Sequence, residues 1–423
     1  MSTTSTSPGG TAASTDAART DAARTDPVPD VDLADPARTA DADRVLAGLR
    51  RDHAVVWHGP KSRPGFWAVL RHAETLQVYR DATTFSATHG MTIDSLRPDQ
   101  DPASGMMVEV TDPPEHQRLR RSIGAFFADG VVADLAPRID AHVRALLEGV
   151  RDRGGPVDVV EAVAARVPTH AAGLLLGLPA EDLDWITERT ALVFLSDGPG
   201  AAGERRAAAE QANGELLGYF AKLLRTGRGG SGLVHRLVEG TTTRPALRTG
   251  EAILNALNMA IGGTTTTRAV LTNLVDALAR FPDVLPALRA DPAAVPTAVE
   301  EGVRWANAVH HLARVATRDV ELGGRAIRAG DPVLVWPRSA NRDERVFDRA
   351  DVFDPHRHPN PHIGFAAGPH SCPGTGLARV QLRAVLRGIA ETFTACEPAG
   401  PAELVPSNFL HGYARLPVRF TPA

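Results

Sequence analysis

Cys372 stands in the run Phe365–Gly374 (FAAGPHSCPG), a Gly/Pro-rich turn that leads into a helical pattern. Pro373 suits the first position of that helix, where its missing N–H costs nothing and its fixed φ is already helical. A cysteine at a helix N-terminus meets unpaired N–H groups and the positive end of the helix dipole, and both favour the thiolate. A thiolate so placed is either a nucleophile or a metal ligand. A lone cysteine is also commonly a small buried hydrophobe, so the meaning of Cys372 depends on its surroundings. A structural zinc site built from His370 and Cys372 is the poorest reading, because no Cys/His cluster of the right spacing accompanies them.

Three further constellations carry polar chemistry. His116 and Arg120 follow Asp112-Pro113-Pro114-Glu115, a helix-start signal with Asp112 as candidate N-cap, and their four-residue spacing puts them on one face. They belong either to a solvated face shared with Arg118 and Arg121, or to a site that points at an anion inside the fold. Glu301 and Arg304 are three apart on another helix, a spacing that alone signals only a weak surface ion pair. The third constellation is Gly262–Thr267 (GGTTTT), in the middle of a helical pattern over Glu251–Arg280. Apolar residues populate every face of that pattern, which marks a helix crossing the interior, ~45 Å long at the α-helical rise. Each Gly costs roughly 1 kcal/mol against Ala in a helix interior, and Thr is a poor helix former whose hydroxyl competes for carbonyls one turn back. A buried helix weakened at its centre either makes room for something or packs closely against a neighbour.

The spacing F-x-x-G-x-H-x-C-x-G, carried by Phe365, Gly368, His370, Cys372 and Gly374, resembles the haem-binding loop of the cytochrome P-450 family, with Ala366 where the family usually has glycine. The resemblance runs from about Leu33 to the C-terminus through five motifs in order. It implies a mainly α fold with small β-sheets (α+β), in which haem b lies between the long central helix and the cysteine-loop helix. Cys372 would ligate the iron, His116, Arg120, Arg314 and His370 would hold the propionates, and Phe365 and Gly374 would lie against the haem. Gly262–Thr267 falls on the family's oxygen-binding signature. That places Gly263 at the dioxygen gap, the proton-relay threonine at Thr266, and Thr265 where the family has an acid. No carboxylate lies between Glu251 and Asp276 to replace it. Glu301, Arg304 and Arg357 match the family's structural triad. Met259, Gly262, Val309, His310, Phe409 and Leu410 fall on substrate-pocket positions. Of His310 and its neighbour His311, at most one is expected to face substrate, since adjacent residues in an extended segment point to opposite sides. Ala308 stands where the family usually has proline.

The resemblance implies a haem-thiolate monooxygenase that activates O2 to hydroxylate or otherwise oxidise a small organic molecule. The alternative it leaves open, because of Thr265, is radical coupling or cyclisation without oxygen insertion. Haem-free recruitment modules of this fold lose the cysteine, so Cys372 argues for the enzyme. Electrons would come from a separate ferredoxin or flavodoxin with its reductase, as the chain has no flavin or nicotinamide fingerprint. Arg118, Arg121, Arg379, Arg383 and Arg387 form either a docking face for such an acidic partner or a solvated surface. The Ala-, Arg- and Asp-rich composition is associated with bacteria in which soluble members tailor secondary metabolites.

The 423 residues carry a formal charge of −4 and are 43% hydrophobic, enough for a large core and without the basic excess that a nucleic-acid partner would need. Two cysteines, Cys372 and Cys396, fit a reducing cytoplasm rather than a disulfide framework. No apolar run approaches the ~18 residues of a membrane span. Residues 1–30, with the repeat TDAAR at Thr15–Arg19 and Thr20–Arg24, read as a disordered low-complexity tail, and 31–423 as a single domain. Within that domain the patterns predict a hairpin at Val55–His58 and Phe66–Leu70, and helices over 131–152, 159–176, 181–195, 204–224 and 376–392. A loop spans Thr83–Val110, long enough to be either functional or disordered, and the resemblance makes it the roof of the substrate pocket; strands end the chain. The segment 196–203 breaks the helical pattern, and the resemblance makes its flanking helices a lid.

Overall fold

The pattern over Glu251–Arg280 is realised as one uninterrupted helix, Thr249–Arg280. Its first turn is stapled by Glu251, which is fully buried, accepts the Arg248 N–H at 2.9 Å and pairs with Arg118 at 2.7 Å. Burial alone would raise the Glu251 pKa, but hydrogen bonds from Arg248 and Arg118 hold it below the ordinary carboxylate value. The computed structural model describes residues 33, 42–59, 65–197, 203–228, 232–241 and 245–423. The tail assigned to 1–30 and most of the break at 196–203 lie outside the described residues.

Helices pack around this axis on most sides. The main apolar core joins it to Asp129–Arg153, Arg166–Leu176, Glu204–Thr226, Val295–Ala306 and Thr375–Thr392. Fully buried Leu216, Phe220, Leu271, Leu274 and Val385 lie at its heart. A five-stranded sheet closes one end, in the order Val55–His58, Phe66–Val69, Pro332–Val335, Leu312–Ala316, Phe85–Ser86. The first two form the expected hairpin in antiparallel register, Val55 opposite Val69 and His58 opposite Phe66. Strand Pro417–Pro422 pairs with Phe393–Pro398 and Pro156–Asp158 in a second sheet.

Three local expectations change. Asp112 does not cap the helix Glu115–Gly124; its carboxylate accepts the Ala87 N–H at 3.0 Å and ties down the preceding loop. The pattern over 159–176 splits into a π turn, Val160–Ala164, and the helix Arg166–Leu176. Pro168 cannot donate to the carbonyl one turn back at Ala164, where the ladder widens. Helix Thr375–Thr392 has Gly374 at its N-cap, so Pro373 lies just outside the first turn. The stretch Thr83–Val110 is mostly irregular, as its lack of period implied, but it is pinned: Ala313 N–H donates to the Met91 carbonyl at 2.8 Å and Ile93 N–H to His311 Nε2 at 3.0 Å.

Candidate active site

The cysteine loop is built on backbone hydrogen bonds. Cys372 N–H donates to the Phe365 carbonyl at 2.9 Å, closing the loop, and the Thr375 hydroxyl donates to the Cys372 carbonyl at 2.8 Å. Gly368 sits at φ +70°, and a Cβ there would strike the Tyr79 carbonyl and Arg80 Cα of helix His72–Arg80. Glycine is required for both reasons. Ala366 stands at φ +55°, so it takes the left-handed turn that glycine would take more cheaply. Cys372 is exposed and lines a cavity. Burial pushes its thiol up, while the Gly374 N–H, the Thr375 hydroxyl and Arg120 pull the other way. A bound metal would favour the thiolate, since a coordinating thiol is deprotonated outright.

The cavity encloses about 280 Å³ between the cysteine loop and the middle of the central helix. His116, Arg120, Arg314 and His370 line one part of it, as do Phe365 and Gly374. The rings of His116 and His370 lie 4.2 Å apart. Both nitrogens of buried His116 and the Nε2 of His370 have no hydrogen-bond partner. Burial, then Arg314, His116 and Arg120, depress His370 to about 2; burial and then Arg120 also lower His116. Arg314 spends one N–H on the Ala313 carbonyl at 2.6 Å, and among the described residues no carboxylate pairs with it or with Arg120. Four basic groups crowded together without an anion are unfavourable as a purely structural cluster. They fit the two carboxylates of a haem, and the cysteine beside them fits its iron. Tyr79, whose hydroxyl is buried and unpartnered, also lines the cavity, and sequence reasoning missed it because a single tyrosine at the end of a helix carries no spacing signal.

Across the cavity, Gly262, Gly263, Thr266 and Thr267 form the wall. A Cβ added at either glycine would meet nothing within 4 Å, so both face open space rather than a packed neighbour. That settles which way the helix centre was weakened: it makes room. Three of the four threonine hydroxyls donate one turn back, Thr264 to Ala260 at 2.7 Å, Thr265 to Ile261 at 2.8 Å and Thr266 to Gly262 at 2.6 Å. The Thr266 oxygen keeps acceptor capacity toward the cavity. Thr265 is 1% exposed and does not line it.

The pocket positions divide. Met259, Gly262, Val309 and Phe409 line the cavity; His310 and Leu410 do not. His310 N–H bonds the Phe409 carbonyl at 2.7 Å, its ring packs against His411, and Leu410 is held in a bridge opposite Val309. Neither His310 nor His311 faces the cavity, because this segment is stitched to the 405–411 turn rather than running freely past it. The turn that lacks proline at Ala308 is made by Asn307, at φ +37°, whose amide donates to the Val309 carbonyl at 2.5 Å. Met91 and Glu109, from the stretch expected to roof the pocket, and Phe194, from a helix expected in the lid, also line the cavity, as do Leu175 and Asn258, which the motifs did not single out. They come from segments distant in sequence, and only packing brings them together.

Glu301 receives Arg304 at 2.7 and 2.8 Å and Arg357 at 3.0 and 3.1 Å, all three buried. Of the five arginines read as either a docking face or a solvated surface, three are paired with carboxylates. Arg379 is bidentate on Glu300 at 2.6 Å and stacks on Phe365, Arg118 pairs with Glu115 and Glu251, and Arg387 pairs with Asp140.

Comparison with known proteins agrees with this geometry. The family model "Cytochrome P450" matches residues 233–412. "Cytochrome P450 NovI" of Streptomyces niveus is 36% identical over 92% of this chain and 96% of its own length. "Nocardicin C N-oxygenase" of Nocardia uniformis subsp. tsuyamanensis is 34% identical over 83% and 89%. The crystal structure of OxyD, a P450 described as involved in the biosynthesis of vancomycin-type antibiotics, superposes with a TM-score of 0.82 at 35% identity, covering 93% of this chain and all of that one. A cysteine loop closed on Phe365, a basic cluster without its anion and an opened helix centre thus occur in a chain that aligns with these proteins nearly end to end, and it belongs to the cytochrome P450 family.

Proposed function

We propose that this P450-type oxidoreductase is a bacterial monooxygenase of secondary metabolism that inserts oxygen into a small organic molecule, with haem b as its cofactor. It would work in the cytoplasm with a ferredoxin or flavodoxin and its reductase. The observation that carries the reading is Cys372 placed across one cavity from Gly262, Gly263 and Thr266, with four anion-seeking groups at the cavity's edge. Haem bound there supplies oxygen activation, and a thiolate ligand favours O–O cleavage, for which this family is the standing example. Arg120, Arg314, His116 and His370 would bind the propionates, and Cys372 the iron. Gly262 and Gly263 leave space beside the helix, and the largely apolar wall excludes water. Thr266 donates its own proton to the Gly262 carbonyl, which orients its oxygen to hold a proton-bearing water on the cavity side. Oxygen insertion is preferred to radical coupling because this hydroxyl is retained on the wall even though position 265 carries no acid. The involvement of OxyD in the biosynthesis of vancomycin-type antibiotics supports secondary metabolism as the setting.

The test is the absorbance of the reduced protein under carbon monoxide. A strongly red-shifted Soret band is expected, lost in Cys372→Ser and kept in Cys396→Ser, whose thiol is buried beside the Val275 carbonyl far from the cavity lining. A band that survives Cys372→Ser overturns the assignment.

A further inference from the structure

The cavity wall is mostly apolar, with Met91, Val108, Leu175, Phe194, Met259 and Val309 among its side chains. Glu109 interrupts it. Its carboxyl stands on the short turn Val108–Val110 and lines the cavity. The amide of Asn258, one turn before Gly262 on the central helix, donates to it at 2.8 Å on Oε2 and 3.0 Å on Oε1. Among the described residues no basic side chain forms an ion pair with it. Arg314 attracts it only through space, and Arg314 belongs to the cluster already assigned to the cofactor's carboxylates.

The rest of the molecule shows how this fold treats a buried carboxylate with a purely structural task. Glu251 is given Arg118 and Arg248, and Glu301 is given Arg304 and Arg357. Glu109 is given one amide and an opening into the cavity. Burial raises its pKa to about 7, against the opposing pull of Asn258 and Arg314, which marks a carboxyl that the protein itself leaves short of partners.

Its position is nonetheless fixed. Asn255, three residues before Asn258 and so on the same helix face, accepts the Val108 N–H at 3.0 Å and donates to the Met106 carbonyl at 2.7 Å. The Thr111 hydroxyl donates to the Met107 carbonyl at 2.6 Å and accepts the Gly105 N–H at 2.9 Å. An irregular loop held by four such bonds presents Glu109 without any ordering cost at the moment a ligand arrives.

We propose that Glu109 is a specificity-determining residue that receives a cationic N–H group of the substrate, so that the enzyme takes a small amine or amino-acid-derived molecule whose apolar body fills the remaining cavity. An ammonium group supplies the charge-assisted hydrogen bonds that the carboxyl lacks. This inference rests on reading the cavity as the substrate site of a haem-thiolate enzyme.

The test uses the reduced, carbon-monoxide-bound holoenzyme, in which an amine cannot displace the gas to ligate iron, and whose Soret band reports the haem-thiolate site in the same sample. Equilibrium dialysis measures the affinities of 4-phenylbutylammonium and of 4-phenylbutanol, which shares its apolar body. Glu109→Gln is expected to weaken the ammonium probe about ten- to hundred-fold and to leave the alcohol within about twofold; Glu109→Asp, which keeps the charge, restores part of the loss. With the Soret band intact, equal losses for both probes, or no loss for either, overturn the proposal. Unchanged affinities with more hydrogen peroxide released per electron during turnover would also overturn it, and would place Glu109 on the proton path instead. Loss of the band in the wild-type protein would refute the haem-thiolate reading itself, a separate failure.

Discussion

Replacing Glu301 by Gln removes one negative charge from the most densely connected polar site in the fold. The carboxylate is fully buried and accepts from Arg304, Arg357, the Asp354 N–H at 2.9 Å and the Asn360 amide at 3.2 Å. Arg304 passes the connection on to the carbonyls of Asn341, Ala350 and Val352, and Arg357 to those of Asp348, Arg349 and Val352. Glutamine has nearly the same shape, so no cavity opens. Two buried guanidinium groups are instead left without their counter-charge, one facing an amide N–H. Breaking a buried pair by removing one partner costs about 3–5 kcal/mol. At roughly 2.1 cal/mol/K of unfolding entropy per residue, about 4 kcal/mol over a chain of 423 residues lowers Tm by about 5 °C. Scanning calorimetry of the holoenzyme reads this directly. Arg206→Ala breaks a pair in which both side chains are about 70% exposed and should move Tm by less than about 1 °C. The same triad braces the cysteine loop through Asn341, whose side-chain oxygen accepts the Ile363 N–H at 2.8 Å. Glu301→Gln should therefore also lower the fraction of protein showing the red-shifted Soret band. A Tm shift no larger than that of Arg206→Ala would refute the view that this network holds the haem-side segment together.

Two further outcomes follow from the geometry. His310 and His411, with ring centroids 5.3 Å apart, are buried near Arg338, Arg342 and His311, with Asp43 as the nearby carboxylate. Burial and then the neighbouring charges push His411 down to about 3 and His310 well below its ordinary 6.5. Their folded-state pKa values lie below the unfolded ones. The stability they contribute is thus intact above pH 6.5 and is lost as pH falls from there towards 3, by up to about 1.4 kcal/mol per pH unit for each histidine. Melting temperatures measured from pH 7.5 to 5 should fall, and His310→Gln should flatten the slope. Thr266→Ala should raise the hydrogen peroxide released per electron consumed, because the ordered acceptor on the cavity wall is gone. Thr264→Val, which removes a buried hydroxyl bonded only within the helix, should not.

The motifs made the inner edge of the site legible because its residues are close in sequence or recur at helical spacing. Phe365 to Gly374 is one loop, His116 and Arg120 are one turn apart, and Gly262 to Thr267 is one run. The central helix could be read for the same reason: thirty residues of sustained period outweigh six poor helix formers in the middle. What did not come through was whatever depends on how segments are joined. His310 follows the extended pattern that would let it reach a pocket, but its N–H and ring are claimed by the 405–411 turn. Asp112 has the residue type and position of an N-cap, and its carboxylate bonds Ala87, twenty-five residues away, instead. Glu109, Asn258 and Tyr79 come from three elements with no shared motif, and their convergence is a property of packing alone.

The weak centre of the long helix shows how the fold accommodates a local conflict. Gly262 and Gly263 remove side chains where the cavity lies, and the four consecutive threonines Thr264–Thr267 would ordinarily favour a break. The hydroxyls of Thr264, Thr265 and Thr266 instead turn back to carbonyls of the preceding turn, at 2.6 to 2.8 Å. The flanks then carry the stability: Ala256 and Ala260 before the glycines, and Leu271, Leu274 and Leu278 after the threonines, are almost wholly buried. Tertiary burial on both sides thus holds open a stretch that helix propensity alone would not. The carboxylates follow the same division. Those in the frame, Glu251 and Glu301, are neutralised by arginines, and the one facing the cavity, Glu109, is not. Among the described residues that line the cavity, Glu109 is the carboxylate left for something other than the protein to meet.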